Sequence, residues 1–142
     1  MEVSQVRRRV QAAMTAARDQ AKRRREHAAS AETAFDAFLK HIAVPLARQI
    51  AGSLKAEGYM FTVSTPGRGL RLALDRGQDD FVELALDSDA EPPTVMGRIR
   101  RTRGSRTLEE ERPVRAGVSP DQLSEDDVLE FLVGALEPWL ER

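Results

Sequence analysis

One apolar stripe along the first third of the chain constrains the fold more than any other feature. With a turn of about 100° per residue and Phe35 as the origin, its members fall within roughly 60° of one direction. The members are Val3, Val6, Val10, Ala13, Met14, Ala17, Ala21, Ala28, Ala31, Phe35, Leu39, Ile42, Leu46 and Ile50. Two helices joined by a loop would have no reason to share one phase, so the pattern predicts a single long helix over about residues 2–57.

Two residues could interrupt this helix. Ser30 suits the N-cap position of a second helix beginning at Ala31, and Pro45 lacks the N–H that the helical ladder needs and would kink it. Gly58 is expected to end the helix as its C′ residue. A straight helix of this length reaches about 80 Å, whereas a compact chain of this size is roughly 30 to 40 Å across. Part of the helix is therefore expected to protrude, to fold back or to find a partner.

After Gly58 the apolar period changes from that of a helix to that of a strand. Tyr59, Phe61 and Val63 alternate with polar neighbours, and similar alternation recurs further along the chain. The strands predicted after this first one cover residues 70–74, 82–86, 94–103 and, as a fifth strand, 106–114. Turn residues separate them at 66–69, around Gly77, at 87–93 and at Gly104-Ser105. This order predicts an antiparallel meander sheet of four or five strands.

The chain closes with a second helix, opened by Ser124. The Ser124 hydroxyl can cap it, Asp127 three residues on completes a capping box, and acidic residues suit the positive end of the helix dipole. Apolar residues between Val128 and Leu140 span an arc of about 200°, wider than a helix resting on one surface needs. We therefore expect this helix to be covered from two sides. The fold class predicted is α+β: a long N-terminal helix, a meander sheet and a C-terminal helix.

Charge is divided unevenly between the two ends of the chain. The net charge is −1, but residues 1–27 hold eight basic and three acidic residues, so a basic head precedes an acidic remainder. We predict a basic amphipathic helical arm over residues 1–29 and a compact α+β domain over residues 30–142.

Composition disfavours several classes of function. The chain has no cysteine, which excludes disulfides, thiolate metal sites and cysteine nucleophiles and favours a cytoplasmic location. No apolar run is long enough to span a membrane. The two histidines, His27 and His41, have no neighbouring serine or carboxylate arranged as in a nucleophile–base pair. No enzyme, cofactor, metal site or small-molecule substrate is predicted.

Two local motifs have simple structural interpretations. Asp87, Asp89 and Glu91 alternate as hard-cation ligands can, but the spacing and glycine of a calcium loop are missing, so an acidic connector is favoured. The glycine-containing segment 66–69 joins two predicted strands and lacks the ending of a phosphate loop, which favours a hairpin turn.

The densest basic run outside the head, residues 98–106, could contact phosphates. If Gly104-Ser105 is a two-residue hairpin turn, however, Arg103 pairs with Arg106, Arg100 faces Glu109 and Arg98 faces Glu111. Cross-strand pairing then accounts for most of the run. Aromatic residues that could stack on bases are not interleaved with it, which also disfavours nucleic acid.

These features favour a non-enzymatic protein-interaction or assembly module, which self-associates or docks in a larger complex through its helices. The residues predicted to bind a partner are Val3, Val6, Val10, Phe35, Phe38 and Trp139. The arm could alternatively form a solvated helix face or a coiled-coil flank, or lie on an anionic membrane surface. In a second hypothesis it binds nucleic acid without sequence preference. The residues that would then contact phosphates are Arg7, Arg8, Arg9, Lys22, Arg23, Arg24 and Arg25.

Overall fold

Helices from both ends of the chain pack on one face of a five-stranded antiparallel sheet. The computed structural model describes residues 1–76 and 79–141. Its helical elements are α1 (Val3–Phe38), a π-helical turn (Leu39–Ala43), α2 (Val44–Ala56), a short 3-10 helix (Pro120–Gln122) and α3 (Glu125–Leu140). Its strands are β1 (Phe61–Ser64), β2 (Leu70–Leu74), β3 (Phe81–Asp87), β4 (Thr94–Arg103) and β5 (Arg106–Pro113). The predicted α+β fold is confirmed, while the turn predicted around Gly77 falls outside the described residues.

The long N-terminal helix passes both residues that could have interrupted it. It continues through Ser30, and a π-helical turn lies immediately before Pro45, where the Val44 N–H donates to the carbonyl oxygen of Leu39. An i→i+5 turn takes up an extra residue and so shifts the phase of the helix face. This explains why Ala43 is fully buried whereas Ile42, predicted in the stripe, is only half-buried.

Gly58 ends α2 as predicted. It has a φ of 90°, a left-handed conformation that glycine adopts without steric cost. Its N–H donates to the carbonyl oxygen of Lys55, and the N–H of Tyr59 donates to that of Leu54. These two hydrogen bonds form a Schellman motif, which satisfies carbonyls that the helix end would otherwise leave unpaired.

The sheet is a simple meander with the strand order β1-β2-β3-β4-β5. The β4–β5 hairpin has the register predicted from the Gly104-Ser105 turn, with Arg98 opposite Glu111, Arg100 opposite Glu109 and Arg103 opposite Arg106. A fifth strand is therefore present, and the basic run is part of a paired hairpin.

The core lies between the helices and one face of the sheet. On the sheet side, Leu72, Leu84 and Val95 are almost completely buried, and they belong to one cluster with side chains from α1 and α3. The helix residues of this cluster include Phe35, Phe38, Leu46, Val128, Phe131, Leu132 and Leu136. Most of the core is aliphatic, as the low aromatic content requires.

Gly97 provides the closest approach between α3 and the sheet. A Cβ built on Gly97 would lie 2.0 Å from Cζ of Phe131, far inside van der Waals contact. The Phe131 ring thus occupies the space that a side chain at position 97 would fill. This contact between Phe131 and β4 fixes the position of α3 along the strand.

The N-terminus of α3 has the predicted capping box. The Ser124 hydroxyl accepts a hydrogen bond from the Asp127 N–H over 3.2 Å, and Asp127 Oδ2 accepts one from the Ser124 N–H over 3.0 Å. The Ser124 N–H holds the pKa of Asp127 below its usual range; partial desolvation opposes this shift, and the Ser124 hydroxyl and Arg115 reinforce it. The box fixes where the final helix begins.

Substitution of Gly97 by alanine tests the packing of the Phe131 ring against Gly97. We expect the free energy of unfolding to fall by about 1 to 3 kcal/mol, because the added methyl group forces a buried ring to move. Urea denaturation measures the change. Gly52→Ala is the matched control: Gly52 lies in the exposed interior of α2 with no atom near a new Cβ, so alanine should stabilise the chain by about 0.5 to 1 kcal/mol. Equal stability of Gly97→Ala and the natural chain would contradict this account of the packing.

The low pKa of Asp127 predicts a pH-dependent contribution to stability. A carboxyl group whose folded-state pKa is lowered stabilises the fold above its unfolded pKa of about 4 and loses that contribution as the pH falls through the folded value. The natural chain should therefore exceed Asp127→Asn in unfolding free energy at neutral pH, and the difference should shrink below about pH 4. Urea titrations across the acid range measure it. A difference that grows as the pH falls would contradict the assigned direction.

Candidate functional site

The first part of α1 is exposed on all sides. Residues 1–20 are all exposed, and Ala31 is the first buried residue of the chain. Four apolar side chains on this segment form what we call the arm stripe, with exposed fractions of 43% to 75%. They are Val3, Val6, Val10 and Met14. A row of apolar side chains on a protruding helix is typical of a surface that binds another protein.

The structure separates the six residues predicted to bind a partner into two groups. Val3, Val6 and Val10 are exposed in the arm stripe, as a docking surface requires. Phe35 is 2% exposed and stacks against Phe38, its neighbour in the core, with ring centroids 6.0 Å apart. These two side chains hold α1 on the domain, so they offer no surface to another molecule in this conformation.

Trp139, the sixth residue of that prediction, is half-buried and engaged within the chain. Its indole Nε1–H donates to Oδ2 of Asp80 over 3.0 Å, and its ring packs edge-on against Phe61. The other oxygen of the buried Asp80 carboxylate, Oδ1, accepts a hydrogen bond from the Thr102 N–H over 2.8 Å. Asp80 therefore ties the end of α3 to the sheet, a role that no local pattern in the sequence indicates.

A second apolar surface lies between α2 and α3 and was not assigned to particular residues from the sequence. This helix groove encloses about 490 Å³, and Ile50 and Leu54 of α2 line one wall. On α3 the exposed side chains that line it are Leu129, Val133 and Leu140, with exposed fractions of 36% to 44%. The wide apolar arc of α3 in the sequence indicated this second surface. The inner side of the arc meets the sheet, and its outer side borders the groove.

The basic residues of the arm lie around the helix instead of forming one face. All seven residues of the nucleic-acid hypothesis are exposed. At 100° per residue from the centre of the arm stripe, Arg7 lies about 55° to one side, Arg9 lies about 105° to the other, and Arg8 lies on the far side of the helix. A nucleic acid lying on one side of the helix could contact only some of them, and nucleic-acid binding stays a prediction.

Arg98, the first arginine of the other basic run, is paired on the sheet face that carries no helix, together with Arg71 of β2. Arg71 and Arg98 lie over the ring of Phe81, at 4.3 and 5.2 Å from its centroid. Both also pair with Glu83: Nε of Arg71 donates to Oε2 over 2.8 Å, and Nη2 of Arg98 donates to Oε1 over 3.4 Å. Since Arg98 lies 3.8 Å from Glu109 as well, these cations have carboxylate partners and form no net basic surface for phosphates.

The acidic connector of residues 87–93 lies beside the arm. Ser88, Asp89 and Glu91 line a small cavity together with Arg24 and Arg25 of α1. Within residues 1–76 and 79–141, no group of three or more histidine, cysteine, aspartate or glutamate side chains is arranged to hold a metal ion. Over the same residues, no helix combines the length and apolarity that crossing a membrane requires.

Comparison with protein-family models, curated proteins and solved structures found no match to the chain. The arm stripe and the helix groove are the two apolar surfaces from which a function is inferred.

Substitution of Asp80 by alanine tests the link between α3 and the sheet. The indole N–H of the half-buried Trp139 would lose its acceptor, so we expect the free energy of unfolding to fall by about 1 to 3 kcal/mol. Trp139 is the only tryptophan, and its fluorescence should shift to longer wavelength as water reaches the ring. Asp19→Ala, which removes an exposed carboxylate from the arm, should change neither property. An unshifted spectrum and unchanged stability in Asp80→Ala would show that this hydrogen bond does not hold α3.

Proposed function

We propose that this protein is a non-enzymatic interaction or assembly module, which self-associates or docks in a larger complex through its helices. The observation that carries the proposal is the arm stripe, a row of exposed apolar side chains on a helix that continues out of a closed core. The core cluster is complete without Val3, Val6, Val10 and Met14, so these side chains contribute nothing to folding the domain. Their burial against another chain would stabilise an assembly.

The carboxylates of Asp80, Glu83 and Asp127 support a non-enzymatic role. Asp80 joins two elements of the fold, and Glu83 neutralises arginines that cover Phe81. Asp127 caps a helix. Each of these carboxylates thus has a structural partner that explains its position. We place the module in the cytoplasm, as the cysteine-free composition predicts.

Substitution of two residues of the arm stripe tests self-association in the full chain. We expect the natural chain to show an increasing mean mass in sedimentation velocity as its concentration rises to the high micromolar range. Val6→Ser with Val10→Ser should weaken this association about tenfold or more, because two apolar contacts are lost. Serine and valine have similar helix propensities, so the helix should persist.

The matched control is Ala12→Ser with Ala16→Ser, which changes the opposite side of the same exposed helix. This variant should associate as the natural chain does. A natural chain that remains monomeric at high micromolar concentration, or a control that weakens as much as the valine variant, would count against self-association through the arm stripe.

A further inference from the structure

The helix groove and the arm stripe have matching dimensions. From Leu129 to Leu140 the groove wall on α3 extends about 16 Å, and from Val3 to Met14 the arm stripe extends about 16 Å as well. Apolar side chains recur at intervals of three and four residues on both. On α3 the series is Leu129, Val133, Leu136 and Leu140; on the arm it is Val3, Val6, Val10 and Met14. A helix with this spacing fits the groove between two others, as in a three-helix bundle.

The charges beside the two surfaces are opposite in sign. Between residues 125 and 141 the chain has six acidic residues and no basic one, whereas residues 3–18 contain four arginines and no acidic residue. Asp126, Glu130 and Glu137 lie along the flank of α3 next to the exposed Leu129 and Val133; this surface also includes Asp127, Arg112 and Arg115, so four acidic and two basic side chains leave it net acidic. On the arm, Arg7 and Arg9 flank the stripe. Docking would therefore bring arginines close to carboxylates, which favours the encounter and sets its orientation.

The arm cannot fill the groove of its own chain. α1 is an unbroken helix from Val3 to Phe38, and its last turns are fixed in the core by Phe35 and Phe38. Among the described residues, the groove is lined by α2, by its C-cap Glu57 and by α3. To reach it, the arm would have to break the helix and turn back across the domain.

Pairing of two arms is also disfavoured. It would bring Arg7 and Arg9 of both copies to the same seam, where like charges destabilise the contact. The acidic flank of α3 offers the same stripe an apolar surface of opposite charge. Of the surfaces that a second copy presents, the helix groove is the one that matches the arm in spacing, length and charge.

We infer that the arm of one copy docks in the helix groove of a second copy, with the arm stripe against Leu129, Val133 and Leu140 and the arm arginines beside the acidic flank of α3. The inference rests on the proposed function and names its partner. It gives a role to both exposed apolar surfaces, since each covers the other.

Engineered cysteines test this contact in a chain that has none of its own. One full-length variant carries Val10→Cys in the arm stripe and a second, distinguished by an affinity tag, carries Val133→Cys in the groove. Both positions are exposed, so the variants should keep the melting temperature of the natural chain. After equimolar mixing and mild oxidation, we expect the disulfide between the two variants to exceed both homodimeric disulfides several-fold. Non-reducing gels and intact mass spectrometry quantify the three products.

The matched control replaces Val10→Cys by Ala12→Cys, an exposed position on the opposite side of the arm. Its disulfide with Val133→Cys should form several-fold less. If Val10→Cys pairs mainly with itself, two arms contact each other, which overturns the inference but leaves self-association through the arm intact. If Val10→Cys and Ala12→Cys react equally with Val133→Cys, the inference is also overturned, and sedimentation of the natural chain decides separately on the proposed function.

Discussion

The limited width of the one covered sheet face determines how the rest of the molecule is arranged. Five strands about 4.8 Å apart give a sheet roughly 20 Å wide, which two helices of about 10 Å diameter can cover. α2 and α3 occupy this face, where Leu72, Leu84 and Leu136 are almost completely buried. Of α1, only the last turns join α2 and α3 in this core. The rest of α1 keeps its helical conformation but extends beyond the domain, because the sheet has no further apolar surface to offer it.

On the opposite sheet face, the apolar ring of Phe81 is covered by side chains of the sheet instead of by a helix. Phe81 points away from the core, yet it is only 4% exposed because the side chains of Arg71 and Arg98 lie across its ring. Glu83 pairs with both guanidinium groups, and Glu109 lies 3.8 Å from Arg98, so two carboxylates balance the two cations. Long charged side chains thus cover an aromatic ring while their polar ends stay hydrated. This face therefore needs no partner, and the two apolar surfaces described above, the arm stripe and the helix groove, lie on helices.

Features that arise from local patterns could be predicted from the sequence. The phase of the apolar stripe indicated the long helix, the Gly104-Ser105 turn determined the register of β4 and β5, and the Ser124 cap defined the start of α3. The hydrogen bond between Asp80 and Trp139 joins residues far apart in the sequence, so no local pattern indicates it. The sequence pattern also did not show where the stripe divides: Phe35 and Val10 share a helix phase, but Phe35 lies in the core whereas Val10 lies about 38 Å further along the helix and is exposed.

The continuity of α1 has an energetic consequence for whatever the arm contacts. An isolated helix must first form a nucleus, and forming this first turn is costly in water. Here Phe35 and Phe38 hold the adjoining turns in the core, so the folded domain acts as the nucleus from which the helix extends toward Val3. The conformational entropy of ordering the arm is lost when the domain folds, before any encounter takes place. The arm thus meets another surface as a preorganised rod, and its docking avoids the penalty that a disordered tail would incur on binding.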